Sequence, residues 1–116
     1  MRGEGRIVHV NIPSRDLEES RQFYGALFGW EFTPNAEHYV LFSDRGGIGG
    51  GLTTRASPTK EGVLLFIAVA DIPETLERVR RAGGSVELEK TPVGGPGFYA
   101  VFIDPHGNRI GIYSDA

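Results

Sequence analysis

The sequence contains no cysteine. That excludes disulfides, thiolate metal sites and a cysteine nucleophile, and it suits a reducing, cytoplasmic setting. Positive charge is in deficit: 12 Lys and Arg stand against 15 Asp and Glu, for a net charge of -3. With no basic field, neither nucleic acid nor an anionic membrane surface is an expected partner. No apolar run approaches the roughly 20 residues that span a bilayer. The opening residues, MRGEGRIVHV, lack the apolar core of a signal peptide. A length of 116 residues fits a single domain, 1–116, with one real core.

Glycine is the excess, 17 of 116 residues, about twice its usual share. Five of the 17 crowd into GGIGGGL, Gly46 to Leu52. The stretch lacks the Gly-x-Gly-x-x-Gly register, and no Lys-Ser or Lys-Thr follows it, so it is not a nucleotide loop.

The chain reads as one unit written twice. DLEE at Asp16 and DIPE at Asp71 each offer an Asp cap with a Glu three residues later. Each predicted helix runs 13 positions to a glycine, Asp16 to Gly29 and Asp71 to Gly84. Leu17, Tyr24, Leu27 and Phe28 form the apolar face of the first, and Leu76, Val79 and Ala82 that of the second. A strand precedes each helix, IVHVNI or LLFIAVA, and three follow. The last two lie at equal spacing, with Phe42 ten positions before Leu52 and Phe102 ten before Ile112. Module one covers about 6–53, a polar connector 54–62, and module two 63–115. DPHGN, from Asp104, is a turn with His106 exposed. Gly46 and Gly47 turn the chain, and Ile48 to Thr53 form the last strand of module one. The fold class is α+β: two βαβββ modules forming a curved mixed sheet with a concave cleft.

These motifs, VHVNIPSRDLEESRQFYGALFGWEF, VADIPETLERVRRAGGSV and FYAVFIDPHGNRIGIY, resemble the vicinal oxygen chelate superfamily. That superfamily holds glyoxalase I, extradiol dioxygenases, methylmalonyl-CoA epimerase, and fosfomycin- and bleomycin-resistance proteins. The resemblance runs from about Ile7 to Ser114 and implies a glyoxalase/bleomycin-resistance-like fold and a homodimer. It does not fix one activity, because the fold hosts several chemistries.

Metal-using members of that family take one ligand from each of four strands. Carried onto this sequence by spacing, the four positions are His9, Gly51, Leu64 and Gly111. Only His9 is a ligand type, whereas catalytic sites typically use three protein ligands. No metal and no other cofactor is therefore expected. Gly51 and Gly111 leave space that a substrate can occupy.

Strand alternation places the rest. Val8, Val10 and Ile12 pack under the first helix, and His9 and Asn11 face the cleft, with Ile7 beside them. Leu64, Phe66 and Ala68 face it from module two, with Arg109, Gly111 and Tyr113. Gly49, Gly51 and Thr53 complete the lining. Apolar walls with sparse polar groups describe a small-molecule site. Arg109 reads either as an anion clamp or as a cross-strand charge partner. Tyr39 and Tyr99, at matching positions, either line the cleft or cover it. Beside a purely structural or interaction module, against which the duplicated cleft argues, three functional readings follow. The first is a binder of a small, mostly apolar organic molecule without the family metal site. The second is a metal-independent lyase or isomerase with His9 as acid/base. The third is a metal-dependent lyase or dioxygenase with non-standard ligands, such as His9 with His38 or a carboxylate from a second chain.

Overall fold

A computed structural model describes residues 8–59 and 64–116. Module one runs β1 (Val10–Pro13), α1 (Leu17–Phe28), β2 (Glu31–Ala36), β3 (Tyr39–Ser43) and β4 (Gly50–Thr53). Module two runs β5 (Phe66–Ala68), α2 (Ile72–Arg81), β6 (Ser85–Pro92), β7 (Phe98–Ile103) and β8 (Arg109–Ser114). This is the βαβββ order twice. The chain divides into two compact units, Met1–Ser57 and Pro58–Ala116, with the boundary inside the polar connector.

Each module has its own four-stranded mixed sheet. The orders are β1-β4-β3-β2 and β5-β8-β7-β6, so the last strand of each module sits between the first and the third. The first strand pairs parallel to the last, and the other pairs are antiparallel. Asn11 lies opposite Gly51, and Phe66 lies opposite Gly111. Leu41 and Val101 flank the same two glycines from the other side. The two modules thus share one register.

Local chemistry starts both helices. Asp16 Oδ1 accepts from the Glu19 amide at 3.1 Å, and Asp71 Oδ1 from the Glu74 amide at 2.9 Å. These bonds satisfy donors that a helix start leaves without an intrahelical partner. Gly29, at φ 73°, ends α1 and donates its N–H to the Gly25 carbonyl. The buried face of α1 is Ser20, Phe23, Tyr24 and Leu27. Phe23 thus belongs to it, while Leu17 and Phe28 are only half-buried. In module one Trp30 stacks between Tyr24 and Phe42, with ring centroids 4.9 Å and 4.4 Å away. The buried face of α2 is Ile72, Thr75, Leu76 and Val79. Ala82 is exposed, because the helix ends at Arg81 and Ala82 is its cap.

Three further expectations need correction. Val8 is 69% exposed and lies outside β1, so it does not pack under the helix. Ile48 lies outside β4 and is also exposed. Gly49 takes φ 73° with its N–H given to Asp44 Oδ1 at 2.7 Å, which breaks the extended run before Gly50. His106 is only 3% exposed. The DPHGN turn folds onto Asp104, whose Oδ1 accepts from the amides of His106 and Asn108, and His106 goes in with it. Ile7 and the last residues of the connector, 60–62, lie outside the described residues.

Candidate functional site

The helix of each module covers one sheet face. Ile12, Phe42 and Leu52 are buried on that face of module one, as are Ala100, Phe102, Ile110 and Ile112 in module two. Burying each of the larger side chains is worth about 1.5–3 kcal/mol, which fixes which residues alternate outward. Asn11, Tyr39, Leu41, Gly51 and Thr53 share the opposite face in module one. Phe66, Tyr99, Val101, Arg109, Gly111 and Tyr113 share it in module two.

In module one this face carries a hydrogen-bonded trio. The Tyr39 hydroxyl donates to Asn11 Oδ1 at 2.6 Å. His9 Nε2 lies 2.6 Å from the Tyr39 oxygen and 3.2 Å from Asn11 Oδ1. The His9 and Tyr39 rings are near parallel, 16° apart, with centroids 6.4 Å apart. A phenol has one proton to give. With that proton on Asn11, the Nε2–H tautomer of His9 would donate to the Tyr39 oxygen. His9 and Asn11 are exposed and Tyr39 is half-buried, so the trio is open to a ligand.

Gly51 makes the trio possible. A Cβ added there would lie 2.1 Å from both Cζ and the hydroxyl oxygen of Tyr39. The tyrosine ring therefore lies directly on the glycine. The space expected to be open to substrate at Gly51 is filled by the protein's own phenol. Module two repeats the device with a different ring. A Cβ on Gly111 would lie 2.5 Å from Phe66 Cδ1 and Cε1. The Phe66 ring is 51% exposed and meets Tyr99 edge-on, with centroids 6.1 Å apart.

The other expected site residues have mostly local duties. Thr53 is buried, and its Oγ1 accepts from the Arg55 amide at 3.1 Å, which ends β4. Leu64 is half-buried and precedes β5. Arg109 donates from Nε to Glu87 Oε2 at 2.8 Å, with both side chains partly exposed. This is the cross-strand charge partner rather than a free anion clamp. His38 sits in the turn before β3. Among the described residues no three His, Asp or Glu side chains converge as a metal site would require. Two open pockets lie elsewhere in module one. One of about 280 Å³ is lined by Leu17, Phe32, Pro34 and Val40 with Glu18 and Arg21. The other, about 370 Å³, is lined by Gly29, Glu31, Ser43 and Arg45.

Tyr113 donates to Asp115 Oδ1 at 3.0 Å. That hydrogen bond, with lesser contributions from desolvation and the Asp115 charge, holds its phenol above the ordinary tyrosine range. Its contribution to stability is present below the unfolded phenol value and is lost as pH rises through the folded one. Alkaline titration followed by phenolate absorbance is expected to show a late-titrating tyrosine. Asp115→Asn should bring it down, and an unchanged titration curve would dismiss the contact.

A sequence profile of the Glyoxalase/Bleomycin resistance protein/Dioxygenase superfamily matches residues 6–112. A glyoxylase-like domain-containing protein of Didymella fabae is 30% identical over 119 residues, covering 93% of this chain and 92% of that one. The anthracycline biosynthesis protein DnrV of Streptomyces peucetius is 29% identical over 122 residues. That match covers 89% of this chain and 44% of DnrV, so the chain spans less than half of that relative. Among solved structures, a glyoxalase/bleomycin resistance protein/dioxygenase family enzyme from Burkholderia phytofirmans PsJN aligns at a TM-score of 0.79 and 18% identity. The alignment covers 94% of this chain and 98% of that one. The fosfomycin resistance protein FosX of Listeria monocytogenes aligns at 0.78 and 16% identity, covering 95% and 93%.

Proposed function

The chain belongs to the Glyoxalase/Bleomycin resistance protein/Dioxygenase superfamily, and from that premise we propose that it binds a small, mostly apolar organic molecule without a divalent metal. The observation that carries this reading is the Tyr39 ring seated on Gly51 and held there by Asn11 and His9. Of the four positions that hold ligands in metal-using relatives, His9 alone has a donor side chain. Two of the others are glycines, each with an aromatic ring of the same module lying on it. The residues present do not fit a metal, which typically takes three protein ligands. The organic molecule would lie against the helix-free face of module one, with the trio as its polar anchor and apolar neighbours such as Leu41. The resemblance to anthracycline biosynthesis proteins favours a planar, polycyclic ligand. A cytoplasmic homodimer is part of the same proposal.

Elemental analysis and thermal shift test it together. Purified protein is expected to hold well under one equivalent of Ni, Zn, Fe or Mn, and a chelator should leave its melting temperature unchanged. Stoichiometric metal whose removal lowers the melting temperature would sink the proposal in favour of non-standard ligands such as His9 with His38.

One observation favours a second, catalytic reading. His9 Nε2 is tied to Tyr39 and Asn11, and among the described residues Nδ1 has no partner. A base oriented by its neighbours with one nitrogen open is the arrangement of an acid/base catalyst. On this reading the protein is a metal-independent lyase or isomerase, and turnover would disappear in His9→Ala.

A further inference from the structure

We infer that Tyr39 selects the ligand: its phenol gives one hydrogen bond to an acceptor oxygen, a carbonyl or quinone, on the bound organic molecule. This rests on the metal-independent binding proposed above and names the chemical class that the site takes.

Proton supply within the trio makes Tyr39 the donor. In the unliganded trio the Tyr39 proton goes to Asn11 Oδ1, and with His9 as the Nε2–H tautomer the Tyr39 oxygen receives the His9 proton. The Tyr39 hydroxyl rotates about its C–O bond, so the same proton can turn to a ligand oxygen. That turn would usually cost the abandoned acceptor its partner. Here it does not, because His9 Nε2 already lies 3.2 Å from Asn11 Oδ1 and its hydrogen can be shared between the two oxygens. Tyr39 is thus a donor that can be released without leaving an orphaned group behind. His9 keeps donating to the Tyr39 oxygen during the exchange, and such a chain strengthens the outer bond. A ligand without an acceptor oxygen gains nothing from the Tyr39 proton. A ligand that offers only a donor meets oxygens already supplied with hydrogen.

Gly51 sets the position of this donor. The phenol end of the ring occupies the space beside Gly51 where a metal-using relative would carry a ligand side chain. The opposite proton order can be told apart. If the Asn11 amide donated to Tyr39 and Tyr39 to His9, neutral His9 would carry its proton on Nδ1, and the Tyr39 proton would be committed to His9 rather than released to a ligand.

Two measurements test the inference. Long-range proton–nitrogen NMR on labelled protein at alkaline pH reads the His9 tautomer. The Nε2–H form is expected, and a dominant Nδ1–H form overturns the assignment whatever binds. Calorimetry then compares anthraquinone sulfonate with anthracene sulfonate, which differ in the quinone oxygens. Wild type should favour the quinone by about fivefold, the discrimination of one net hydrogen bond. Tyr39→Phe, which removes the hydroxyl and retains an aromatic ring, should erase that preference while retaining anthracene affinity. A preference that survives Tyr39→Phe, or equal binding of both probes to wild type, overturns the role of Tyr39 and leaves the binding reading standing. Failure of both probes to bind wild type overturns the binding reading and the inference with it.

Discussion

Gly50→Ala is expected to destabilise module one by about 3 kcal/mol or more, near the upper end of overpacking costs. A Cβ at Gly50 would lie 1.8 Å from the Val10 carbonyl oxygen and 2.8 Å from Phe42 Cζ. The first of these is backbone, in the strand paired directly alongside, with Val10 opposite Gly50. Relief requires β1 to move away from β4, and that takes Asn11 and His9 with it. Urea unfolding should show the midpoint fall, and amide exchange should show β1 and β4 losing protection. A loss under about 1 kcal/mol would mean that the strands part freely despite the close approach of the Val10 carbonyl oxygen to Gly50. The neighbouring substitution is the control. At Gly51 the clash is with the far end of the Tyr39 side chain, which can swing aside. Gly51→Ala should therefore cost little stability while dispersing the trio, so adjacent glycines separate structure from site.

That contrast marks what the sequence could convey. The duplication is legible because it is arithmetic. Asn11 to Phe66 and Asp16 to Asp71 are both shifts of 55, while Gly51 to Gly111 is a shift of 60. Strand pairing obeys both shifts, with Asn11 opposite Gly51 and Phe66 opposite Gly111. The caps at Asp16 and Asp71 are equally legible, since a short carboxylate before an apolar period has a local reason to be there. Glycine inside a strand also signals close approach correctly. What it does not specify is who approaches. Ligand and side chain are equivalent as far as a missing Cβ is concerned. Deciding for Tyr39 needs the register of β3 on β4 and the ring's direction, and that register pairs Tyr39 with Thr53, 14 residues away in sequence.

Tyr39 is therefore the site residue that sequence reasoning places last. It stands at the start of β3, where a tyrosine is ordinary, and its equivalent Tyr99 does something else. In module two the ring on the glycine comes from β5, as Phe66, and Tyr99 only meets its edge. Equal positions in the two modules have thus taken unequal duties. Module one carries the polar trio, and module two exposes an apolar ring at the matching place. Arg109 shows a similar limit. Its position is readable, but its partner Glu87 lies at a register shift between β6 and β7 that no periodicity marks.

The turn that precedes β8 gives the second large effect: Asp104→Ala should cost about 3–5 kcal/mol, as expected for a buried carboxylate removed from several donors. Asp104 is 4% exposed. Its Oδ1 accepts from the amides of His106 and Asn108, each at 2.9 Å, and its Oδ2 accepts from Asn108 Nδ2 at 2.8 Å. Its own N–H donates to the Asn108 carbonyl at 2.8 Å. His106 and Asn108 are themselves buried, so alanine leaves their donors with no water to turn to. Asp104→Asn is the milder change. It keeps one oxygen for the two amides, and Asn108 can turn its side-chain oxygen toward the new amide, so about 1–2 kcal/mol is expected. Chemical denaturation should therefore rank wild type above Asp104→Asn and Asp104→Ala last. If the two variants fell together, charge rather than hydrogen-bond acceptance would hold the turn. If neither fell, the turn would not be holding β8 in place. The consequence reaches function through register, because Asn108 is followed directly by Arg109, Gly111 and Tyr113 on the helix-free face of module two. Slippage by one residue would turn Ile110 and Ile112 outward and bury the charge of Arg109 in their place.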